Sequence, residues 1–258
     1  PDGTMQIEAD FNTAGTDPCH VEIAPNGAFV SVANFASGAV TIFPRDAQGD
    51  LQADKTIFQH EGSSVHPIRQ KGPHAHSSLF APDCPLMFVP DLGMDKVVAY
   101  RYDGASVCVD EDATITVERG CGPRYGEFTP NGKDFYLINE IGSRVMHYRY
   151  SAGKMTLCEE ISTLPYGFTG ENICSDLHIT ADGKFLYASN RGHDSITAYH
   201  ILEDGSLAWI ECRSSGGKTP RNFALDRTGS YLLAENQDSD NITVFAIGDD
   251  GRLTKQES

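Results

Sequence analysis

The sequence has few basic residues and no long hydrophobic segment. Twenty Lys and Arg stand against 36 Asp and Glu, which gives a formal net charge of −16. This balance argues against nucleic acid and anionic membrane surfaces as partners, because both repel a strongly acidic protein. No apolar run approaches the roughly 20 residues that a membrane-spanning helix requires. A cluster of arginines would therefore be a local exception in this chain.

Cysteine pairs are also missing. The seven cysteines are an odd number, are spread along the chain and include no C-x-x-C pair. A disulfide framework or a structural zinc site would show closer, paired spacings. This usage indicates a reducing compartment, and we expect a cytoplasmic protein.

The sequence also lacks a clear helical period. Instead, one pattern of apolar runs and turns recurs along the chain. Each of five copies contains two β-type apolar runs around a turn, followed by a third apolar run and a glycine turn. The pairs Asn26-Gly27, Asn131-Gly132 and Asp182-Gly183 predict hairpins with type I′ turns. A meander of about 50 residues is the size of one β-propeller blade. The copies begin 46 to 57 residues apart, at Cys19, His76, Arg124, Ser175 and Arg221.

These patterns predict an all-β fold. We expect a β-propeller of four-stranded antiparallel blades, with about five blades in this chain, and residues 1–258 forming a single domain. The chain begins with Pro1 rather than Met. We therefore expect that sequence is missing at both ends and that the blades belong to a larger ring; a closed five-bladed ring is the alternative.

Two positions of each repeat fall on one face of the predicted disc, beside its central channel. The first strand of a blade begins where its antiparallel neighbour ends, so these two positions are adjacent. The first column holds Cys19, His76, Arg124, Ser175 and Arg221, and the second holds Phe35, Leu92, Glu140, Arg191 and Gln237. Scaffold positions would hold similar residues in every copy, whereas these columns vary and concentrate charge. We interpret them as a functional cluster around one pocket.

Three neighbouring features are interpreted more simply. The column before the second position is structural, since short polar side chains close turns by bonding nearby backbone; it holds Asn34, Asp91, Asn139, Asn190 and Asn236. The connections 59–77 and 162–176 are longer than the others and are expected to be binding loops or lids. His74 and His76 have a zinc-compatible spacing, and His66 is nearby, but no carboxylate or Cys completes a ligand set, so no metal site is predicted.

The chain closely resembles the lactonase family of seven-bladed propellers, which includes bacterial propeller-type 6-phosphogluconolactonase and fungal carboxymuconate-lactonising enzymes. The resemblance covers nearly all of residues 10–254 and departs chiefly at Cys84-Pro85. It implies about two further blades. It is carried by "QKGPHAHS", "PDLGMDKV", "GPRYGEFTPNG", "GFTGEN", "SNRGHDSI", "GGKTPRNFALD" and "ENQDSDNITVF".

The resemblance also implies a function and a site. Catalytic roles fall on His76, Arg124, Glu140 and Arg191. The expected reaction is hydrolysis of an acidic sugar lactone, 6-phosphogluconolactone to 6-phosphogluconate, with either Glu140 or His76 as the base and without a cofactor. Arg221 is added as a candidate substrate ligand because of its place in the first column. The further candidate substrate ligands are His74, Asn190, His193 and Lys218. Two alternatives stay open: a cyclising muconate-type enzyme and a non-catalytic binding scaffold. The expected partner is a small anionic lactone, and the expected state is a monomer or a weak homo-oligomer.

Overall fold

The structure is a computed structural model that describes residues 4–5, 7 and 9–256. Its regular structure is almost entirely strand, arranged in five antiparallel sheets that follow one another along the chain. This confirms the predicted all-β propeller of four-stranded blades. No helix in the described part of the chain is long and apolar enough to cross a membrane.

The five sheets are the blades, which we number I to V in chain order. Blade I contains β1 (Pro18–Ile23), β2 (Phe29–Asn34), β3 (Ala39–Pro44) and β4 (Thr56–Gln59). Blade II contains β5 (Leu79–Phe80), β6 (Leu86–Asp91), β7 (Lys96–Asp103) and β8 (Ser106–Val109), with β9 (Ile115–Thr116) also paired to β7. Blade III contains β10 (Pro123–Phe128), β11 (Asp134–Asn139), β12 (Arg144–Ser151) and β13 (Lys154–Ser162). Blade IV contains β14 (Ile173–Ile179), β15 (Phe185–Arg191), β16 (Ser195–Ile201) and β17 (Leu207–Ser214). Blade V contains β18 (Pro220–Leu225), β19 (Tyr231–Asn236), the 3₁₀ turn Gln237–Ser239, β20 (Asn241–Ile247) and β21 (Leu253–Lys255).

The hydrophobic core lies between blades. One cluster joins Phe29 of blade I to Met87 of blade II, and another joins Phe88 of blade II to Phe135 of blade III. Because a neighbouring blade covers each face, β6 and β11 are buried along their whole length, while β19 in blade V alternates between buried and exposed residues. Burial of apolar surface between blades is what fixes their stacking.

The predicted hairpins are present, but the predicted type I′ turns are wrong. Gly27, Gly132 and Gly183 have positive φ, whereas the Asn or Asp before each does not. The Gly27 N–H donates to Ala24 O at 2.8 Å. Each turn is therefore a type I turn followed by a left-handed glycine. In blades I and III, Pro25 and Pro130 favour this turn, because a proline ring fixes φ near −65°.

The Asn/Asp column has the structural role predicted for it. Its five residues are buried. Asn34 Nδ2 donates a hydrogen bond to Thr41 Oγ1 at 3.1 Å. The same bond joins Asn190 to Thr197 in blade IV and Asn236 to Thr243 in blade V. These side chains close β2, β15 and β19 against the following strand.

Candidate active site

Eight of the ten residues in the two predicted columns line one cavity of about 1020 Å³. Ser175 and Leu92 are buried and lie outside its lining. The remaining column residues line it: Cys19, Phe35, His76, Arg124, Glu140, Arg191, Arg221 and Gln237. The structure thus brings together His76, Arg124, Glu140, Arg191 and Arg221, as the repeat alignment predicts.

β-Bulges explain how the first column reaches the cavity. In β1 the register passes from Pro18 to His20 without a partner for Cys19, and the same irregularity occurs at Arg124 and Arg221. A bulge leaves one residue out of the ladder and redirects its side chain. The sequence carries a signal for this, since a proline precedes Cys19, Arg124 and Arg221.

Glu140 is the centre of the cavity's charge. It follows β11, is 1% exposed, and its Oε2 accepts a 2.7 Å hydrogen bond from Arg191 Nη2. Arg124 Nε lies 3.2 Å from the same oxygen, as an ion pair without the alignment of a hydrogen bond. Oε1 accepts a hydrogen bond from Arg69 Nη2. One carboxylate therefore holds three guanidinium groups, and the cluster keeps a formal charge of about +2.

Two guanidinium groups of this cluster also donate hydrogen bonds to backbone carbonyl groups outside it. Arg191 donates to Cys174 O at 2.9 Å, and Arg124 donates to Ser175 O. Burial lowers the pKa of Arg124, while Glu140 opposes that shift. The Nε atoms of Arg69, Arg124 and Arg191 are buried without a hydrogen-bond partner among the described residues. Buried charged donors without partners are the arrangement that an anionic ligand satisfies.

Phe35 forms an aromatic wall beside this cluster. The His74 ring stacks on it with centroids 4.5 Å apart, and the His76 ring meets its edge at 5.4 Å. The Arg69 guanidinium carbon lies 5.6 Å from the ring centroid, within range of a cation–π interaction. The wall positions both His76 and Arg69.

His76 and Cys19 are neighbours with different chemistry. Burial, reinforced by the charge of Arg124, holds the pKa of His76 well below its usual value, so its imidazole is neutral at neutral pH. His76 Nδ1 lies 3.9 Å from Cys19 Sγ. As a whole residue, Cys19 is exposed at the cavity wall. Its sulfur atom, however, lies 3.2 Å from His76 O, and the burial of this thiol raises its pKa to about 11. A protonated thiol is a poor nucleophile, so Cys19 fits the inert role predicted for it.

A second, smaller cavity of about 410 Å³ shares Cys19, His76 and Arg124 with the first. His20 and His178 both line it, and at neutral pH His20 is neutral whereas His178 is protonated. Burial lowers the pKa of His20 to about 4.

His178 lies between two carboxylates, at 3.2 Å from Glu127 and 3.3 Å from Asp176. Burial lowers its pKa, but these hydrogen bonds outweigh that effect and raise the pKa to about 10. Sequence reasoning missed both histidines because neither lies in a column chosen for its variation.

The other candidate ligands lie outside the lining of the main cavity. His74 stacks behind Phe35, and Asn190 is fully buried and donates to Thr163 O at 3.0 Å. His193 Nδ1 lies 2.8 Å from Ser195 Oγ, and Lys218 is exposed. Their roles as substrate ligands stay predictions. Asn190 is the least suited, since its amide is already bonded within the blade.

Arg69 is the residue that sequence reasoning missed at the centre of the site. It belongs to the long connection 59–77, which the sequence marks as a binding loop, but to no repeat column. No group of three or more potential metal ligands occurs in the described parts of the chain.

The fold and the cavity define a β-propeller with a cluster of guanidinium groups in the wall of one cavity. The model of the seven-bladed β-propeller lactonase family matches residues 1–258, and the chain belongs to this family. It is 36% identical to the 6-phosphogluconolactonase of Bacillus subtilis over 83% of this chain and 61% of that protein. It is 34% identical to the 6-phosphogluconolactonase of Formosa agariphila over 87% of this chain and 65% of that protein. The chain thus spans less than two thirds of the length of these relatives.

A solved structure gives the same result for the fold. The periplasmic gluconolactonase of Pseudomonas aeruginosa superposes with a TM-score of 0.88 and 32% identity, over 93% of this chain and 69% of that one. The five blades of this chain therefore match part of a larger propeller.

Proposed function

We propose that the protein hydrolyses the ring ester of an anionic sugar lactone, and that its substrate is 6-phosphogluconolactone. The observation that carries the proposal is the cluster of three guanidinium groups around Glu140. Arginine matches phosphate and carboxylate oxygens through two parallel hydrogen bonds, so such a cluster would bind the anionic end of a substrate. The names of the relatives support the lactone class.

In this proposal His76 is the general base. Its imidazole is neutral and lines the cavity, whereas both oxygens of Glu140 already accept guanidinium hydrogen bonds or ion pairs. His76 takes a proton from water as the water oxygen bonds to the lactone carbonyl carbon. The bond from that carbon to the ring oxygen then breaks, and the ring oxygen receives the proton. A guanidinium group beside the carbonyl stabilises the negative charge that develops on its oxygen.

The test is an assay of 6-phosphogluconolactone with purified protein against the spontaneous rate. Enzyme-dependent acceleration supports the proposal, and a rate equal to the spontaneous one refutes it. Cyclisation of a carboxylated muconate, assayed in parallel, distinguishes the lactonising alternative. A binding scaffold would keep its partner in an R124A/E140A double variant, whereas an enzyme would lose its activity.

We also propose a cytoplasmic location. It rests on the seven cysteines, all of which are free thiols. Fractionation followed by detection of the protein tests it, and recovery in an extracytoplasmic fraction would refute it.

A further inference from the structure

Arg69 holds a separate position in the guanidinium cluster. Glu140 Oε2 is shared between Arg124 and Arg191, but Oε1 accepts its hydrogen bond from Arg69. The Arg69 side chain is also 35% exposed, against 8% for Arg124 and 12% for Arg191. Arg69 can thus be reached from the cavity, and its pairing with Glu140 can change without unpairing the other two arginines.

The backbone around Arg69 is held firmly. His66 Nδ1 accepts a 3.0 Å hydrogen bond from the Arg69 N–H, and the Ser64 N–H donates to Gln70 O at 3.0 Å. The Gln70 side chain is buried and donates to Leu92 O at 2.8 Å. The loop therefore presents Arg69 from a fixed turn rather than from a loose segment.

The same turn is joined to the strand that carries Arg124. Gln70 Nε2 donates to Asp95 Oδ1 at 2.7 Å, and that oxygen also accepts the Gly122 N–H at 2.7 Å. Gly122 lies two residues before Arg124. Asp95 thereby sets the position of the Arg69 turn relative to the start of β10.

The charge of the cluster depends on Arg69. Three guanidinium groups and one carboxylate leave about +2, and removal of Arg69 leaves about +1. The cavity is also lined by Arg221, Asp17, Glu235 and Asp240, but all four are exposed and therefore well screened by water. A largely buried charge of about +2 is matched by a dianion, and a phosphate monoester carries about −1.5 to −2 at pH 7.

We propose that Arg69 is a specificity-determining residue that selects a phosphate monoester over a singly charged or uncharged ligand at this site. The proposal rests on the proposed lactonase function only for the identity of the phosphorylated substrate. In the complex, Arg69 shares its guanidinium between Glu140 and the phosphate.

The test compares wild type with Arg69→Met and Arg69→Lys on two substrates, 6-phosphogluconolactone and glucono-1,5-lactone. For Arg69→Met we expect KM for the phosphorylated lactone to rise at least about tenfold, as loss of a charge-assisted hydrogen bond implies. The kcat/KM for glucono-1,5-lactone should fall by a smaller factor than that for the phosphorylated lactone, because glucono-1,5-lactone carries no phosphate for Arg69 to bind. Arg69→Lys should give a KM for the phosphorylated lactone between those of wild type and Arg69→Met. Equal losses on both lactones, or an unchanged KM, would overturn the proposal.

Direct binding separates this proposal from the proposed function. Calorimetry with inorganic phosphate at pH 7.5 should show binding to wild type and at least about tenfold weaker binding to Arg69→Met. Arg227→Met removes the same charge from an exposed hairpin and should bind phosphate like wild type. If neither lactone is hydrolysed but these affinities hold, the lactonase function fails and the role of Arg69 stands. If Arg69→Met binds phosphate like wild type while keeping its thermal unfolding temperature, the role of Arg69 fails.

Discussion

Arg191 and Glu140 come from neighbouring blades, and Arg191 Nη2 donates a 2.7 Å hydrogen bond to Glu140 Oε2. Arg191 ends β15 in blade IV, and Glu140 follows β11 in blade III. The side chain of Glu140 is 2% exposed and that of Arg191 is 12% exposed, so water screens the pair weakly. The pair therefore couples the wall of the cavity to the stability of the propeller.

Glu140→Gln should destabilise the protein by about 3–5 kcal/mol, because it removes the counter-charge of three clustered guanidinium groups. Denaturant unfolding measures this change. Added phosphate should raise the unfolding temperature of the variant more than that of wild type, since the anion would replace the missing charge. Glu118→Gln is the matched control, because Glu118 pairs with Arg144 at an exposed position. It should cost less than about 1 kcal/mol. A Glu140→Gln variant as stable as this control would contradict the account of the cluster.

His76→Asn should lower kcat by about 10²- to 10⁴-fold if His76 is the base. Burial and Arg124 hold the pKa of His76 well below 6.5, so its neutral form persists as the pH falls through that value. The kcat/KM of wild type should therefore stay level from pH 8 to pH 6 and fall only at lower pH. Glucono-1,5-lactone is the substrate for this profile because it carries no titrating phosphate. A midpoint at or above pH 6.5 would contradict the assignment.

Gly93→Ala should displace the loop that carries Arg69. A Cβ at Gly93 would lie 1.8 Å from Gly72 O and 3.0 Å from Pro73 Cα, both of which are backbone atoms. We expect a loss of about 1–3 kcal/mol in the free energy of unfolding, together with a raised KM. Gly72→Ala is the control, since its Cβ would meet no atom within 4 Å. The free energy of unfolding of Gly72→Ala should stay within about 0.5 kcal/mol of wild type. If Gly93→Ala and Gly72→Ala were equally stable, the close approach of Gly93 to the backbone of Gly72 would be refuted.

His178→Gln should change how stability depends on pH. The pKa of His178 is raised from 6.5 to about 10, so the folded protein holds a proton that the unfolded chain releases between these values. The resulting stability is full below pH 6.5 and is lost as the pH rises towards 10. Between pH 7 and 9, wild type should lose up to about 1.4 kcal/mol per pH unit relative to the variant. Denaturant unfolding of both proteins at several pH values measures this difference, and parallel curves would contradict it.

The propeller could be predicted from the sequence because its signals are local. Alternating apolar runs and turn glycines recur at a nearly constant interval, and each blade is built from consecutive strands. Two of the type I′ turns were predicted wrongly because Asn26-Gly27 and Asn131-Gly132 were considered without Pro25 and Pro130, each of which fixes the preceding φ. The bulges at Cys19, Arg124 and Arg221 also had a local signal in the preceding prolines.

Most of the site could be predicted because it repeats with the blade. Positions that are equivalent in every repeat must lie at the same radius and on the same face, so divergent residues in these columns met around one cavity. Arg69 could not be found in this way, because it lies in a connection outside the repeat and 71 residues before Glu140.

The sequence by itself determined the strands, the blades and the face on which the charged columns gather, since these follow from local periodicity and from repetition. Only the tertiary structure decided which charges meet, that three guanidinium groups share one carboxylate, and that His20 and His178 differ in protonation. These properties depend on distance and burial between separate blades and loops, and charges interact through space rather than along the chain.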